Sequence, residues 1–377
     1  MLLEQSQPAI SEERNSSAGY YMIKSLQVKN FRCFKELELH ELRRINVVVG
    51  KNATGKTALL EAVRLALSGT PTALWVMNQV RSWPLYYPQP PTRDQFESMW
   101  NPYFFAFNST SPISMEFHDS QGHAATLKIY YEPKRAVTTV PKQREDQPPA
   151  PSVAISPLAF ERTDLSGQSS TLYASVNPQG GYVLDPGTEV GPSSEFITST
   201  LLVNPSQAAA WFSYLSLQKR EKEIVDAVKE EFEPALESLS VLSLGQLPSV
   251  YASIKYLKEK LPLSLLSGGI NKFVVVLAAV LMRGSGVVLI DEVENGFFYK
   301  TLEPMWKYLL KLAGDNDTQI FVSTHSQECV RALVPAMQGH EDEFTLLRAE
   351  RTNGSSTVTL LEGKFLEAAI EQGVEVR

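Results

Sequence analysis

The run Ile45-Asn46-Val47-Val48-Val49, continuing into Gly50-Lys51-Asn52-Ala53-Thr54-Gly55-Lys56-Thr57 and then into Ala58–Leu67, decides the fold. The first segment is β-branched and nearly continuous in apolar character, as a buried strand requires. The middle eight residues match G-x-x-x-x-G-K-[ST]. In that pattern small residues let backbone N–H groups curl around phosphates, Lys56 reaches the β- and γ-phosphates, and Thr57 offers its hydroxyl to Mg²⁺. Leu59, Leu60, Val63, Leu65 and Leu67 then recur at helical spacing. Strand, glycine loop and helix in that order predict a nucleotide site. Its binding candidates are Gly50, Asn52, Thr54, Gly55, Lys56 and Thr57, and its implied cofactors are ATP and Mg²⁺.

Three downstream segments extend this site. Gly286–Ile290 reads as a second buried strand that delivers Asp291 and Glu292 to its C-terminal end, where ligands approach parallel sheets. The arrangement resembles Walker B, with Asp291 holding Mg²⁺ through water and Glu292 polarising the attacking water. Leu266-Ser267-Gly268-Gly269, ahead of the apolar run Phe273–Met282, resembles the ABC signature. That resemblance implies that Ser267, Gly268 and Gly269 face the γ-phosphate of another protomer, so the working unit is a dimer. His325, after the strand-like Phe321-Val322-Ser323, stands in the place of the ABC switch histidine. Lys56, Glu292 and His325 are therefore the catalytic candidates, and Thr57 and Asp291 the metal-binding ones. Gln79, Gln89 and Gln95 all fit the position of a glutamine switch, and none is assigned.

The opening Ile23–Leu39, IKSLQVKNFRCFKELEL, looks like the N-terminal strands of RecF, SMC and OLD (overcoming lysogenization defect) ATPases. VVLIDEVENGFF, TQIFVSTHSQECV and LPLSLLSGGINKFVVVLAAVL resemble the corresponding stretches of OLD-like members. The likeness covers residues 22–65 and 260–377. It implies an α/β fold: an ABC-type P-loop NTPase core with an antiparallel β lobe and a helical lobe carrying the signature. It also makes Asn30 and Arg32 candidate nucleotide contacts. No heptad pattern occupies the interval from Thr57 to Ser267, so the long coiled coil of SMC proteins is not expected. The chain runs only to Arg377 beyond His325, whereas full OLD nucleases continue into a metal-dependent Toprim domain. The expectation is a stand-alone OLD-like ATPase that gates a separate effector, a Toprim-type nuclease or a toxin, in bacterial anti-phage defence. The rival is a RecF-like ATPase that binds DNA in repair or recombination.

Composition bounds these readings. With 377 residues, 43% of them hydrophobic and 20% charged, a sizeable core is available. The balance of 35 basic against 42 acidic residues, net −7, supplies no global positive field, so any DNA contact requires a local patch. The apolar run Phe273–Met282 is too short to cross a bilayer. The first residues lack a secretion signal, and Cys33 and Cys329 lack metal-ligand spacing, so a cytoplasmic location is expected.

Residues 1–21 read as a disordered tail, with Met22 an alternative start, and 22–377 as a single ATPase domain. Within it, 22–200 form the P-loop and β lobe, 201–283 the helical signature lobe, and 284–377 the core with Walker B and the switch histidine. Locally, residues 69–111 show no clear period, 134–152 look like a linker, and residues 206–260 carry helical patterns such as Glu221–Leu239. A hairpin is predicted around Asn353-Gly354 and a short helix over Lys364–Gln372. The aromatic stretch Leu74–Pro90 reads as packing or a protein interface rather than a base-stacking surface.

Overall fold

Alternate residues of five parallel strands face two different cores, and that alternation organises the molecule. The computed structural model describes residues 22–81, 91–139, 152–178, 181–199, 205–244 and 247–361. In spatial order the strands of the central sheet are Ser194–Ile197, Val287–Ile290, Gln319–Thr324, Ile45–Val49, Phe344–Thr352 and Ser355–Leu361. The first five are mutually parallel and the last returns antiparallel. Val47, Val49, Val288, Ile290, Ile320 and Val322 point into one core with the helices Pro205–Leu217, Glu221–Glu231, Gly268–Met282, Leu302–Asp315 and Gln327–Met337. Val48, Val287, Leu289, Phe321 and Leu347 point the other way. A period of two on strands buried on both faces gives this division directly.

The second core is closed by the helix Lys56–Ser68 and a seven-stranded antiparallel sheet. The sheet runs Tyr182–Leu184, Ser169–Val176, Leu158–Thr163, Ala124–Tyr131, Ile113–Asp119, Ile23–Phe31 and Phe34–Leu39. Sandwiched there, the helix buries Leu59, Leu60, Val63, Leu65 and Leu67, the residues whose spacing marked it in the sequence. Gln319, fully buried, joins the two sheets. Its amide nitrogen, Nε2, donates to the carbonyls of Ile23 (2.9 Å) and Arg43 (2.8 Å), while its Oε1 accepts the Ile23 N–H at 2.9 Å. Every polar atom of the side chain is thus paired, as burial demands.

The predicted α/β class and strand positions hold, with local corrections. Two helices, Pro71–Val80 and Arg93–Trp100, occupy the stretch in which no period was legible. Thr70 and Pro71 start the first, and a Thr92/Gln95 capping box starts the second, so short-range caps rather than periodicity identify them. The helical pattern read over 206–260 holds for Pro205–Leu217 and Glu221–Glu231 and stops there, and Leu236–Leu242 is a strand. Pro234 disfavours helical backbone at Glu233, and the strand then pairs with Ser249–Ile254 and, through it, Leu261–Pro262. The signature lobe is therefore mixed, not helical alone. The linker reading of 134–152 is shortened by the ribbon Val137–Thr139 with Val153–Ile155. The N-terminal tail, the alternative start and the helix over Lys364–Gln372 lie outside the described residues. Among the described residues no helix is long and apolar enough to cross a membrane.

Candidate nucleotide site

Gly50 leaves the central strand with φ +150°, and a methyl there would collide with the carbonyl of Ala349. At the other end of the loop, Gly55 has φ +104°, and an added Cβ would lie 2.7 Å from Cys33 Sγ. Both glycines are thus required by the fold as well as by a phosphate. The helix Lys56–Ser68 has no side-chain cap, so its first N–H groups and its positive dipole end open onto the loop. Lys56 is buried, which lowers its pKa, and its ammonium donates to the carbonyls of Gly50 (2.8 Å) and Lys51 (2.9 Å). Thr54 Oγ1 donates to Lys51 O at 2.9 Å, and Asn52 is exposed at the tip.

The next strand of the site places Asp291 opposite Thr57. Thr57 Oγ1 lies 3.1 Å from both carboxylate oxygens. Ser323 Oγ donates to Asp291 Oδ1 at 2.5 Å, and Ser199 Oγ reaches Oδ2 at 3.4 Å. A carboxylate flanked by hydroxyls, beside a phosphate-binding loop, is the hard all-oxygen donor set that Mg²⁺ prefers. The residues present therefore fit the expected ion.

Glu292 follows with φ +47°, in the left-handed region that a non-glycine residue occupies at a cost. Its N–H donates to Ser323 Oγ (2.9 Å), and its Oε2 accepts from Asn295 Nδ2 (2.6 Å). The imidazole of His325 sits with Nδ1 3.7 Å from Glu292 Oε1 and 3.1 Å from Glu294 Oε1. Glu294 Oε1 also accepts the main-chain N–H of His325 at 3.0 Å. Lys56, Thr57, Asp291, Glu292 and His325 thus converge at the C-terminal ends of three adjacent parallel strands.

Ser267 N-caps the helix Gly268–Met282 in extended conformation. Gly269 packs so closely on Gly296 that a methyl would strike its carbonyl, whereas Gly268 is exposed with open space where a Cβ would stand. One turn on, Lys272 donates from its buried ammonium to the carbonyl of Glu292 at 2.5 Å.

Asn30 and Arg32 are committed within the chain. Asn30 Nδ2 donates to the carbonyls of Asn108 (3.1 Å) and Ser111 (2.7 Å). Arg32 pairs with the buried Glu61 at 3.1 Å and stacks 5.5 Å over the Tyr103 ring. Gln95 is used in its helix cap, Gln79 is exposed on the helix Pro71–Val80, and Gln89 lies outside the described residues. Glu294 and Asn295 were marked only by their place in the OLD-like stretch after Asp291, and Ser199, Ser323 and Lys272 gained no role from sequence.

Residues 22–172 match the family described as an AAA ATPase domain. An ATP/GTP phosphatase of Helicobacter pylori is 23% identical over 336 residues, covering 83% of this chain and 87% of that protein. Shorter similarities reach an OLD nuclease of Thermus scotoductus, 48% identical over 46 residues (12% of this chain, 8% of that one). DNA replication and repair protein RecF of Bacillus thuringiensis is 46% identical over 41 residues, 11% of each chain. These matches support an ABC-type ATPase of the RecF, SMC and OLD branch. Among solved structures, an SMC head bound to the C-winged helix domain of ScpA superposes with TM-score 0.49 at 13% identity, covering 90% of this chain and 98% of that one.

Proposed function

We propose that this ATPase hydrolyses Mg-ATP in an ATP-linked dimer and that the opening and closing of the dimer gates a separate effector, a nuclease or toxin, in bacterial anti-phage defence. One observation carries the hydrolytic part: Thr57 and Asp291 face each other at 3.1 Å, with Glu292 and His325 next to them at the same strand ends. The uncapped helix N-terminus and Lys56 hold the β- and γ-phosphates. Mg²⁺, when bound at Thr57 and Asp291, supplies charge neutralisation of the triphosphate. Glu292 accepts a proton from the attacking water, and His325 donates towards the γ-phosphate oxygens. Ser267 and Gly268 of each chain close over the nucleotide of its partner, so occupancy is read as a population shift. The effector half is supported by the OLD-like segments around the signature, Walker B and His325.

The test joins phosphate release with light scattering. Wild type is expected to release phosphate from Mg-ATP. Glu292→Gln should bind nucleotide, cease turnover and run as a dimer with Mg-ATP, because the amide keeps the side chain's size and loses its charge. Affinity purification of that trapped form from its host, after nuclease treatment, should retain a stoichiometric small effector. Recovery of repair proteins alone, with salt-sensitive duplex binding by the purified chain, would instead establish the RecF-like function.

A further inference from the structure

The signature helix Gly268–Met282 is apolar along almost its whole length, yet Lys272 is buried within it at 3% exposure. A buried ammonium is costly unless its surroundings compensate it. Here the compensation comes chiefly from the strand end that carries Asp291 and Glu292. The ammonium donates to the Glu292 carbonyl at 2.5 Å, and the carboxylates of Glu294, Asp291 and Glu292 favour its charge. On the other side of the same residue, the Glu292 N–H is held by Ser323 Oγ at 2.9 Å. The main chain around Glu292, bent to φ +47°, is therefore pinned from the sheet by Ser323 and from the signature helix by Lys272. Glu294 extends the link. Its side chain is 10% exposed, Oε1 meets the main-chain N–H and the ring Nδ1 of His325, and Oε2 is buried without a hydrogen-bond partner among the described residues.

We propose that Lys272 is a positioning residue that couples the signature turn to Glu292 and, through Glu294, to His325 of the same chain. A displacement of the helix start then moves the carboxylate that activates water. In a dimer, engagement of one nucleotide by the signature turn thereby adjusts hydrolysis at the other. The inference rests on the hydrolytic reading above and deepens it.

The experiment compares wild type, Lys272→Met, Glu294→Gln and the double variant by steady-state ATP hydrolysis and equilibrium Mg-ATP binding. Methionine retains the apolar stem, and glutamine keeps an acceptor for the His325 N–H while removing the charge that faces Lys272. Each single variant is expected to lose at least about tenfold in kcat, with KM and nucleotide affinity within about twofold of wild type. The double variant should be no worse than about threefold below the weaker single, since both act through one linkage. Wild-type turnover in Lys272→Met, equal losses of affinity and kcat, or multiplicative losses in the double variant would overturn the proposal. Should Lys272→Met not fold, Glu294→Gln decides alone: wild-type kcat refutes the coupling, and reduced kcat at unchanged affinity supports it. A wild-type protein with no ATP hydrolysis overturns the hydrolytic reading itself, so the two failures are distinct.

Discussion

Thr57 and Asp291, separated by 234 positions in sequence, meet with the threonine hydroxyl 3.1 Å from each carboxylate oxygen. The pairing follows from the sheet order, in which the strands leading to these residues are separated by the single strand Gln319–Thr324. Asp291→Asn keeps the side chain's size and removes its charge, with an amide donor in place of one accepting oxygen. Phosphate release measured against Mg²⁺ concentration should fall by about 10²-fold or more, while the folded far-ultraviolet spectrum is retained. Unchanged turnover would remove Asp291 from the metal site.

Lys56→Ala should abolish nucleotide loading, since the ammonium is the cation held inside the loop by the Gly50 and Lys51 carbonyls. Equilibrium binding of a fluorescent ATP analogue reads this directly. Retained binding at wild-type affinity would show that the loop's N–H groups suffice.

The two signature glycines separate fold from function. Gly269→Ala drives a methyl into the Gly296 carbonyl and should destabilise the chain by about 1–3 kcal/mol in urea unfolding. Gly268→Ala meets nothing within the chain, and its stability should change by no more than about 1 kcal/mol, in the favourable direction. Hydrolysis should nevertheless fall by about 10²-fold, because the space beside Gly268 is needed for the partner's nucleotide. Full turnover in Gly268→Ala would argue against that engagement.

Stability should carry the signature of Lys272. Burial pushes its pKa down to about 8 from the ordinary 10.5, against the opposing pull of Glu294, Asp291 and Glu292. Between those values the unfolded chain holds a proton that the folded chain has released. The contribution to unfolding free energy therefore rises with pH across that window, and is lost as pH falls through about 8. Urea midpoints taken from about pH 7.5 to about pH 10 should show a steeper rise in wild type than in Lys272→Met. Parallel profiles would show that the lysine stays charged throughout.

Much of the site was legible because its motifs are local. Gly50–Thr57, Asp291-Glu292 and Ser267–Gly269 each sit at the end of an apolar segment whose type the residue pattern reveals, and the structure brings the loop, the carboxylates and His325 together. Ser199, Ser323 and Lys272 were not legible, since each acts through a partner 20 to 92 residues away. Asn30 and Arg32 illustrate the converse, since a local motif named them while their side-chain contacts lie with Asn108, Ser111 and Glu61. The helices Pro71–Val80 and Arg93–Trp100 escaped because the first is mostly apolar and the second, though polar on its outer face, has only eight residues, too few for a period to show. Phe96 and Trp100 lie within ring-contact distance of one another and of residues from other elements.

The place of Ile45–Val49 in the middle of the parallel sheet also constrains how the protein is made. Its two neighbours are Gln319–Thr324 and Phe344–Thr352, among the last described segments of the chain to leave the ribosome. Until residues 319–324 have been translated this β-branched strand has neither partner, and its hydrogen-bonding edges are open to other chains. The antiparallel sheet can assemble early from Ile23–Leu184, while the parallel sheet must wait until Phe344–Thr352 has been translated. A nascent chain stopped before residue 344 would therefore carry the complete phosphate loop on a strand lacking one flank. Such a fragment is a hazard for aggregation, so competence to bind ATP and safe passage through biosynthesis arrive together.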